Sequence, residues 1–276
     1  MACPVIDFHI HLLKYQQPTE SLLNLNADLF PMEGEYLAFE EKYARPENLV
    51  TMMKEHGVDY GVILAEYSPL TTGIASNETV AEFCAGHGEL IPFCSVNPHI
   101  TPDPVNTVKQ LCLHQGFRGI KLYPTYNHFY PHEAGMYPLY AAAQEMGVPI
   151  LFHTGSSIFR NSRIKYGNPI FYDDVASDFP ELKIVLAHGG RGPWYDEAMT
   201  MIRLHRNIYI DVSGLPVRKL TLFFPDIDRF AHKFIFGTDW PQVRMRDSIA
   251  KFSQIGLCEE SRRSILGGNA AALLKL

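Results

Sequence analysis

Two histidines near the amino terminus, His9 and His11, stand one residue apart in an apolar run that covers residues 5–11. Alternate side chains of a β-strand lie on the same face, so the two imidazoles would point one way and Phe8 and Ile10 the other. Neutral imidazole is a common ligand of divalent cations, and it suits zinc well. The pair alone is also compatible with two incidental histidines, so its meaning depends on what lies beside it.

Further polar residues stand at or just after other apolar segments of the chain. They are Lys121, His153, His188 and Asp239. Taken singly, a histidine at such a place is more often structural, a lysine can reach solvent, and an aspartate before an aromatic residue and proline is often a turn residue. Imidazoles and a carboxylate gathered around one cation would instead activate a bound water molecule.

The chain alternates between short apolar segments and segments with helical patterning. The predicted strands cover residues 5–11, 60–64, 90–96, 119–122, 149–153, 183–187, 208–212 and 233–236. Eight such units in 276 residues indicate an α/β protein, a (β/α)8 or TIM barrel whose strands are covered on both faces. An open doubly wound sheet competes less well, because no glycine-rich dinucleotide fingerprint follows any strand.

The barrel predicts where the candidate residues lie. Side chains at the carboxyl ends of parallel barrel strands meet around one opening. The residues placed there are His9, His11, Lys121, His153, His188 and Asp239. This convergence favours a metal site, which none of these residues favours alone.

Residues 12–45 show little periodicity, and a segment of that length after a strand is typically a lid or binding insertion within a single domain, here 1–276. The five cysteines form no CxxC pair, there is no secretory pattern, and no apolar run reaches the ~20 residues that span a bilayer. These features predict a cytoplasmic protein with no membrane partner. A net charge of −6 without basic blocks argues against nucleic acid, and we expect a small-molecule substrate and a homo-oligomer.

Six segments together resemble the amidohydrolase superfamily, in particular the amidohydrolase-related branch that includes aminocarboxymuconate-semialdehyde decarboxylase and related hydrolases. They are IDFHIH at 6–11, GFRGIKLYP at 116–124, LFHTG at 151–155, LAHGG at 186–190, FGTDWP at 236–241 and GNAA at 268–271. They occur in the order found in the family, so the resemblance covers the whole chain.

The resemblance implies a catalytic divalent cation, zinc by preference, with four protein ligands. These are His9, His11, His153 and Asp239. His188 is implied to sit over the metal as a catalytic residue. In binuclear members a lysine at the position of Lys121 is carbamylated and bridges two cations, the second of which is held by the histidines at 153 and 188. One metal is preferred here, and two metals are the alternative.

Such a centre is suited to hydrolysis. With a zinc-bound water, Asp239 would act as the general base and His188 would polarise the carbonyl of an ester, lactone or amide. The alternative is non-oxidative decarboxylation at the same metal. In decarboxylase members, arginines in the helix after strand one hold the substrate carboxylate, whereas this chain has Leu49 and Thr51 at those positions and only Arg45 nearby. We therefore predict a hydrolase first and a decarboxylase second.

Several residues on the loops after the predicted strands are candidates for contact with the substrate. They are Tyr123, Tyr126, His128, Arg160, Arg163, Arg191 and Trp240. Three arginines on the active face of an acidic protein suggest a carboxylate-bearing substrate, although they can equally pair with carboxylates on the barrel rim. Asp211, at the end of the seventh predicted strand, is a candidate partner for a ligand histidine or a cap of the next turn.

Overall fold

A computed structural model describes residues 3–30, 32 and 34–276 of the chain. The strands of the described residues are β1 (Ile6–His11), β2 (Tyr60–Leu64), β3 (Glu66–Ser68), β4 (Gly73–Ala75), β5 (Leu90–Ser95), β6 (Gly119–Leu122), β7 (Ile150–His153), β8 (Ile184–Ala187), β9 (Ile208–Asp211) and β10 (Phe234–Ile235). Strands β3 and β4 form a separate antiparallel hairpin. The other eight form one parallel sheet in which neighbours in sequence are also neighbours in space.

The sheet curves until β1 meets the segment that follows its last strand. The amide of Phe8 donates to the carbonyl of Phe236 at 3.0 Å, and the amide of Asp239 donates to the carbonyl of His9 at 3.0 Å. These bonds bring the two edges of the sheet together in a nearly closed barrel, with helices on its outer face. The predicted (β/α)8 barrel is confirmed.

Helices connect the strands of the barrel. In the described residues they are α1 (Glu20–Leu29), α2 (Glu35–Tyr43), α3 (Pro46–Glu55), α4 (Asn77–Cys84), α5 (Pro104–His114), α6 (Pro124–Asn127), α7 (Tyr137–Met146), α8 (Tyr172–Asp178), α9 (Tyr195–Leu204), α10 (Leu220–Phe223), α11 (Met245–Phe252), α12 (Glu259–Arg263) and α13 (Asn269–Leu274). Helix starts follow local sequence signals. The side chains of Ser76 and Asp103 cap α4 and α5, and proline begins α3 and α5. Within the described part of the chain, no helix has the length and apolar character needed to cross a membrane.

The barrel interior beneath the carboxyl-terminal opening is filled by apolar side chains, and α13 packs against this cluster. The interior includes Phe8, which the strand pattern put on the face opposite the histidines. The pairing of β1 with β2 is irregular between Asp7 and Ile10, and Phe8 meets Phe93 edge-on with ring centroids 5.3 Å apart. Ile10 belongs to the outer cluster under the helices. Irregular pairing of this kind is common beside active sites, where it re-aims side chains.

The segment 12–45 contains regular structure that the sequence pattern did not indicate, namely α1 and α2. Thr19 caps α1 by accepting a hydrogen bond from the amide of Leu22. Asn26 is the buried residue of α1, whereas Leu23 and Leu29 are exposed. Of its leucines only Leu22 and Leu25 pack inward, beside the polar Asn26, so the apolar periodicity by which a helix is recognised is weak. Residues 31 and 33 of the predicted insertion lie outside the described residues, and its role as a lid stays a prediction.

Candidate metal centre

Five side chains meet at the carboxyl-terminal end of the barrel. One ligand atom from each of His9, His188 and Asp239 lies within 4.8 Å of the other two. Nε2 of His11 is 3.2 Å from Oδ1 of Asp239, and the ring centroid of His153 is 4.8 Å from that of His188. Residues from β1, from the end of β7 and from the loops after β8 and β10 are therefore side by side, as the barrel arrangement requires.

The hydrogen bonds of two histidines leave their Nε2 atoms free. Nδ1 of His9 is 2.6 Å from Oδ2 of Asp211, a carboxylate that accepts only, so Nδ1 carries the proton. Nδ1 of His188 donates to the backbone carbonyl of Ser213 at 2.8 Å. Each neutral ring therefore keeps a lone pair on Nε2. Asp211 also accepts a hydrogen bond from the amide of Ser213 at 2.8 Å, so it caps the following turn as well as contacting His9.

The backbone around the centre is held in conformations that side-chain-bearing residues seldom adopt. Asp239 and His188 have φ angles of +70° and +64°, and such conformations typically cost ~1–3 kcal/mol each. The buried carboxylate of Asp7 fixes the Asp239 loop by accepting hydrogen bonds from the amide and hydroxyl of Thr238, at 2.9 and 2.6 Å. A Cβ atom on Gly214 would lie 2.6 Å from Oδ2 of Asp239, so any larger residue at position 214 would clash with this carboxylate.

Burial controls the protonation of the centre. It lowers the pKa of His9 to about 4, and it lowers the pKa values of His153 and His188 well below the ordinary range of histidine. Burial alone would raise the pKa of Asp239, but the surrounding imidazoles, that of His188 first, hold it well below its usual value. At neutral pH these three imidazoles are therefore neutral and Asp239 is ionised, the protonation states in which such groups bind metal.

Unpaired atoms in the centre fit a cation. Nε2 of His9 and Nε2 of His153 are buried and have no hydrogen-bond partner among the residues that the structure describes. Leaving a buried polar atom unpaired costs about 1–3 kcal/mol. Imidazole lone pairs that face a carboxylate are all acceptors, so they cannot satisfy one another, whereas a cation between them satisfies all of them. Nitrogen ligands with one carboxylate suit a first-row divalent metal.

Lys121 is fully buried close to this group. Its Nζ has no hydrogen-bond partner within the described ranges, and it lies 5.0 Å from the ring centroid of Tyr123. Burial lowers the pKa of Lys121 to about 8, although the carboxylates of Asp211 and Asp239 act in the opposite direction. A bridging role for Lys121, with His188 on a second metal, stays a prediction.

A cavity of about 340 Å³ adjoins the centre, within the usual size range of small-molecule sites. One wall is aromatic: Tyr126 packs on His153 with ring centroids 4.6 Å apart, and Phe159 meets Tyr126 edge-on at 5.9 Å. Leu22 and Leu25 of α1 also line the cavity and pack against this aromatic group. The space therefore has a polar, metal-binding side and an apolar side.

Three of the predicted substrate-contact residues line the cavity, namely Tyr123, Tyr126 and Arg191. The guanidinium of Arg191 is fixed by two hydrogen bonds to the carbonyl of Ser156, from Nε at 3.2 Å and from Nη2 at 3.0 Å. Its Nη1 lies 3.8 Å from Oδ2 of Asp239. Arg191 is thus anchored through one edge and presents the other to the centre.

The other four predicted contact residues lie outside the cavity walls. His128 hydrogen-bonds through Nε2 to a backbone carbonyl, that of Asn161, at 2.6 Å. Arg160 and Arg163 are exposed to solvent. Trp240 is buried, but its ring packs against aromatic side chains of α2, with centroid distances of 5.6 and 5.7 Å.

Sequence reasoning missed Glu66, whose side chain lines the cavity and is almost fully buried. Its carboxylate accepts hydrogen bonds from the hydroxyls of Tyr15 and Thr72. A signal was present, because Glu66 follows the second strand by two residues, at the same barrel end as the other candidates. Tyr15 lies in the segment without periodicity, where no such signal exists.

The chain matches the family model described as amidohydrolase over residues 6–276. It belongs to the amidohydrolase family and is an enzyme of that family. The resemblance seen in the sequence is therefore confirmed.

Similar proteins include decarboxylases. A gamma-resorcylate decarboxylase from Rhizobium sp. (strain MTP-10005) is 24% identical over 285 residues, covering 82% of this chain and 85% of the relative. An uncharacterised TIM-barrel protein from Bordetella bronchiseptica superimposes with a TM-score of 0.79 at 23% identity, over 99% of this chain and 98% of its own. A dihydroxybenzoic acid decarboxylase from Polaromonas sp. JS666 was solved with manganese and the inhibitor 2-nitroresorcinol. It superimposes with a TM-score of 0.73 at 19% identity, over 100% of this chain and 98% of its own. The structural matches show a shared fold.

Proposed function

We propose that this chain is a divalent-metal-dependent decarboxylase that removes carbon dioxide from a small aromatic carboxylic acid without an oxidant. The observation that carries the proposal is the meeting of imidazole lone pairs and the Asp239 carboxylate beside a cavity with an aromatic wall. The curated relatives that align with 82% of the chain are decarboxylases. The comparisons thus favour the decarboxylase alternative over the hydrolase that we put first from sequence.

In this proposal four side chains hold the cation, and His188 lies beside it as the catalytic residue. The four are the ligands implied by the family resemblance, His9, His11, His153 and Asp239: Nε2 of His9 and of His11 lie 3.4 and 3.2 Å from Oδ1 of Asp239, and Nε2 of His153 is buried and unpaired within the described residues. A bound divalent cation would supply positive charge that anchors an anionic substrate. Zinc stays our sequence-based prediction, and the manganese of the related dihydroxybenzoic acid decarboxylase makes manganese the second metal to test.

Arg191 is the residue we assign to the substrate carboxylate or to an ionised ring substituent. It lines the cavity, it is already anchored to Ser156, and its free nitrogen faces Asp239. Aminocarboxymuconate-semialdehyde decarboxylases carry arginines at two positions where this chain has Leu49, which is buried, and Thr51, which is exposed. Neither supplies a guanidinium group. The aromatic wall beside Tyr126 would accept the flat ring of the substrate and keep water from it.

Loss of carbon dioxide requires a proton at the ring carbon that loses its carboxylate. Asp239 is ionised and His188 neutral, so each has a lone pair that can take a proton, and the lowered pKa of each makes it a strong proton donor once protonated. We propose that one of them takes the proton of a ring hydroxyl and passes it to the ring carbon as the carbon–carbon bond breaks. Carbon dioxide leaves, and the ring oxygen takes a proton from bulk solvent, so that one proton is consumed for each carbon dioxide released.

The test is an assay of metal-loaded protein with a panel of hydroxybenzoic acids, including 2,6-dihydroxybenzoate and 5-carboxyvanillate, beside esters and lactones of similar size. We expect release of carbon dioxide from at least one acid, and no release after metal has been stripped with a chelator. Acid release from an ester or lactone without decarboxylation of any aromatic acid would favour the hydrolase instead.

A further inference from the structure

Tyr15 and Glu66 lie beside Nδ1 of His11, the ring nitrogen opposite the one that approaches Asp239. The Tyr15 hydroxyl donates to Oε2 of Glu66 at 2.8 Å, and the hydroxyl of Thr72 donates to the other carboxylate oxygen. The same Tyr15 oxygen is 3.4 Å from Nδ1 of His11, and Oε2 of Glu66 is 3.8 Å from it. Glu66 is 1% exposed, so bulk water does not compete for its carboxylate.

The number of protons on these groups decides which of them donates and which accepts a hydrogen bond. Tyr15 has one hydroxyl proton, and the shorter contact gives it to Glu66, because a carboxylate accepts and cannot donate. A phenol is protonated at neutral pH, because its ordinary pKa is about 10. The lone pairs of the Tyr15 oxygen are then left to face His11, where they favour a proton on Nδ1.

The position of that proton matters because a neutral imidazole binds metal through the nitrogen that has none. Nε2 of His11, at 3.2 Å from Oδ1 of Asp239, is the atom on the metal side. Without a partner at Nδ1, the Asp239 carboxylate would attract the proton to Nε2 and block that lone pair. A hydrogen-bond acceptor at Nδ1 shifts the tautomer equilibrium of His11 toward the form with its proton on Nδ1 and its lone pair on Nε2.

We propose that Tyr15 and Glu66 are positioning residues that hold His11 in the tautomer required for a divalent cation. The proposal rests on the metal-binding role proposed for His11, and it extends that role to two residues outside the ligand set. His9 obtains the same support directly from Asp211 at 2.6 Å, whereas His11 obtains it from a carboxylate one hydroxyl further away. Partners of this kind typically change metal affinity by about 10–100-fold.

The test measures metal binding without substrate. Tyr15→Phe removes only the bridging oxygen, and Glu66→Gln removes the charge that orients the hydroxyl. Each should weaken Mn²⁺ and Zn²⁺ binding by about 10–100-fold in competition with a chelator. Tyr67→Phe is the matched control, because the neighbouring Tyr67 also donates to a glutamate, Glu78, at 3.4 Å, but at a place outside the cavity walls. Its metal affinity should equal that of the wild type.

A second readout separates positioning from damage to the fold. Histidine-labelled, Zn²⁺-loaded wild type should show a slowly exchanging Nδ1 proton on His11 by NMR, and Tyr15→Phe should lose it while metal-free unfolding midpoints stay similar. Wild-type metal affinity in both variants would overturn the assignment, whatever the enzyme does to its substrate. A wild type that binds neither cation would overturn this proposal and the metal-dependent function together. Hydrolysis in place of decarboxylation would overturn the function alone.

Discussion

His9 and His188 are identical side chains to which the fold gives different partners. Nδ1 of His9 faces the carboxylate of Asp211 at 2.6 Å, whereas Nδ1 of His188 faces the neutral carbonyl of Ser213 at 2.8 Å. A carboxylate partner raises the basicity of the opposite ring nitrogen and strengthens its bond to metal. A neutral carbonyl fixes orientation with less effect on basicity. This difference supports His9 as a metal ligand and His188 as the residue that moves a proton.

We expect His188→Asn to lower kcat by about 10²–10⁴-fold, the usual contribution of general acid–base catalysis, while metal content stays near that of wild type. The proposed ligands remain in place in this variant, which is why the metal should be kept. Carbon dioxide release and elemental analysis measure the two quantities. His205→Asn is the control, because His205 pairs with Asp173 at 2.7 Å outside the cavity walls. A His188→Asn protein without metal would instead make His188 a ligand.

At the scale of elements, the barrel strands were predictable because both of their faces are buried. A strand of this kind has a short continuous run of apolar residues in the sequence. Once the strands are placed, the barrel alone predicts that His153 and Asp239 meet, since they end or follow strands of one sheet. Helix α1 was not predicted, because its packed face carries only two leucines beside the polar Asn26, while its leucines at 23 and 29 face solvent. The irregular pairing of β1 with β2, which turns Phe8 into the barrel, also has no signal in the sequence pattern.

The contribution of α1 is tested by two leucines of the same helix. Leu25 lines the cavity and packs against the aromatic group around Tyr126, whereas Leu23 is 50% exposed. Leu25→Ala should raise KM about fivefold with a smaller change in kcat, as expected for roughly 1 kcal/mol of lost apolar contact. Leu23→Ala should leave steady-state kinetics unchanged. Equal kinetics for the two variants would mean that α1 does not contact the substrate.

At the scale of the whole molecule, the centre spans the place where the barrel closes. His9 and His11 come from the first strand, and Asp239 comes from the loop after the last. The two edges are joined by backbone hydrogen bonds such as that from the amide of Asp239 to the carbonyl of His9 at 3.0 Å. A cation held by side chains on both edges would therefore cross-link the barrel at its seam, in addition to the catalytic role proposed for it.

Removal of the metal should for this reason destabilise the entire barrel. A ligand that binds only the folded state stabilises it by about 2.7 kcal/mol when present at 100 times its Kd. For a chain of 276 residues, that corresponds to a rise in Tm of roughly 5 °C. Calorimetry of chelator-stripped protein with and without Mn²⁺ measures the shift, and a His9→Ala/His11→Ala protein should show almost none. An equal Tm in chelator and in Mn²⁺ for the wild type would contradict a cation at the seam.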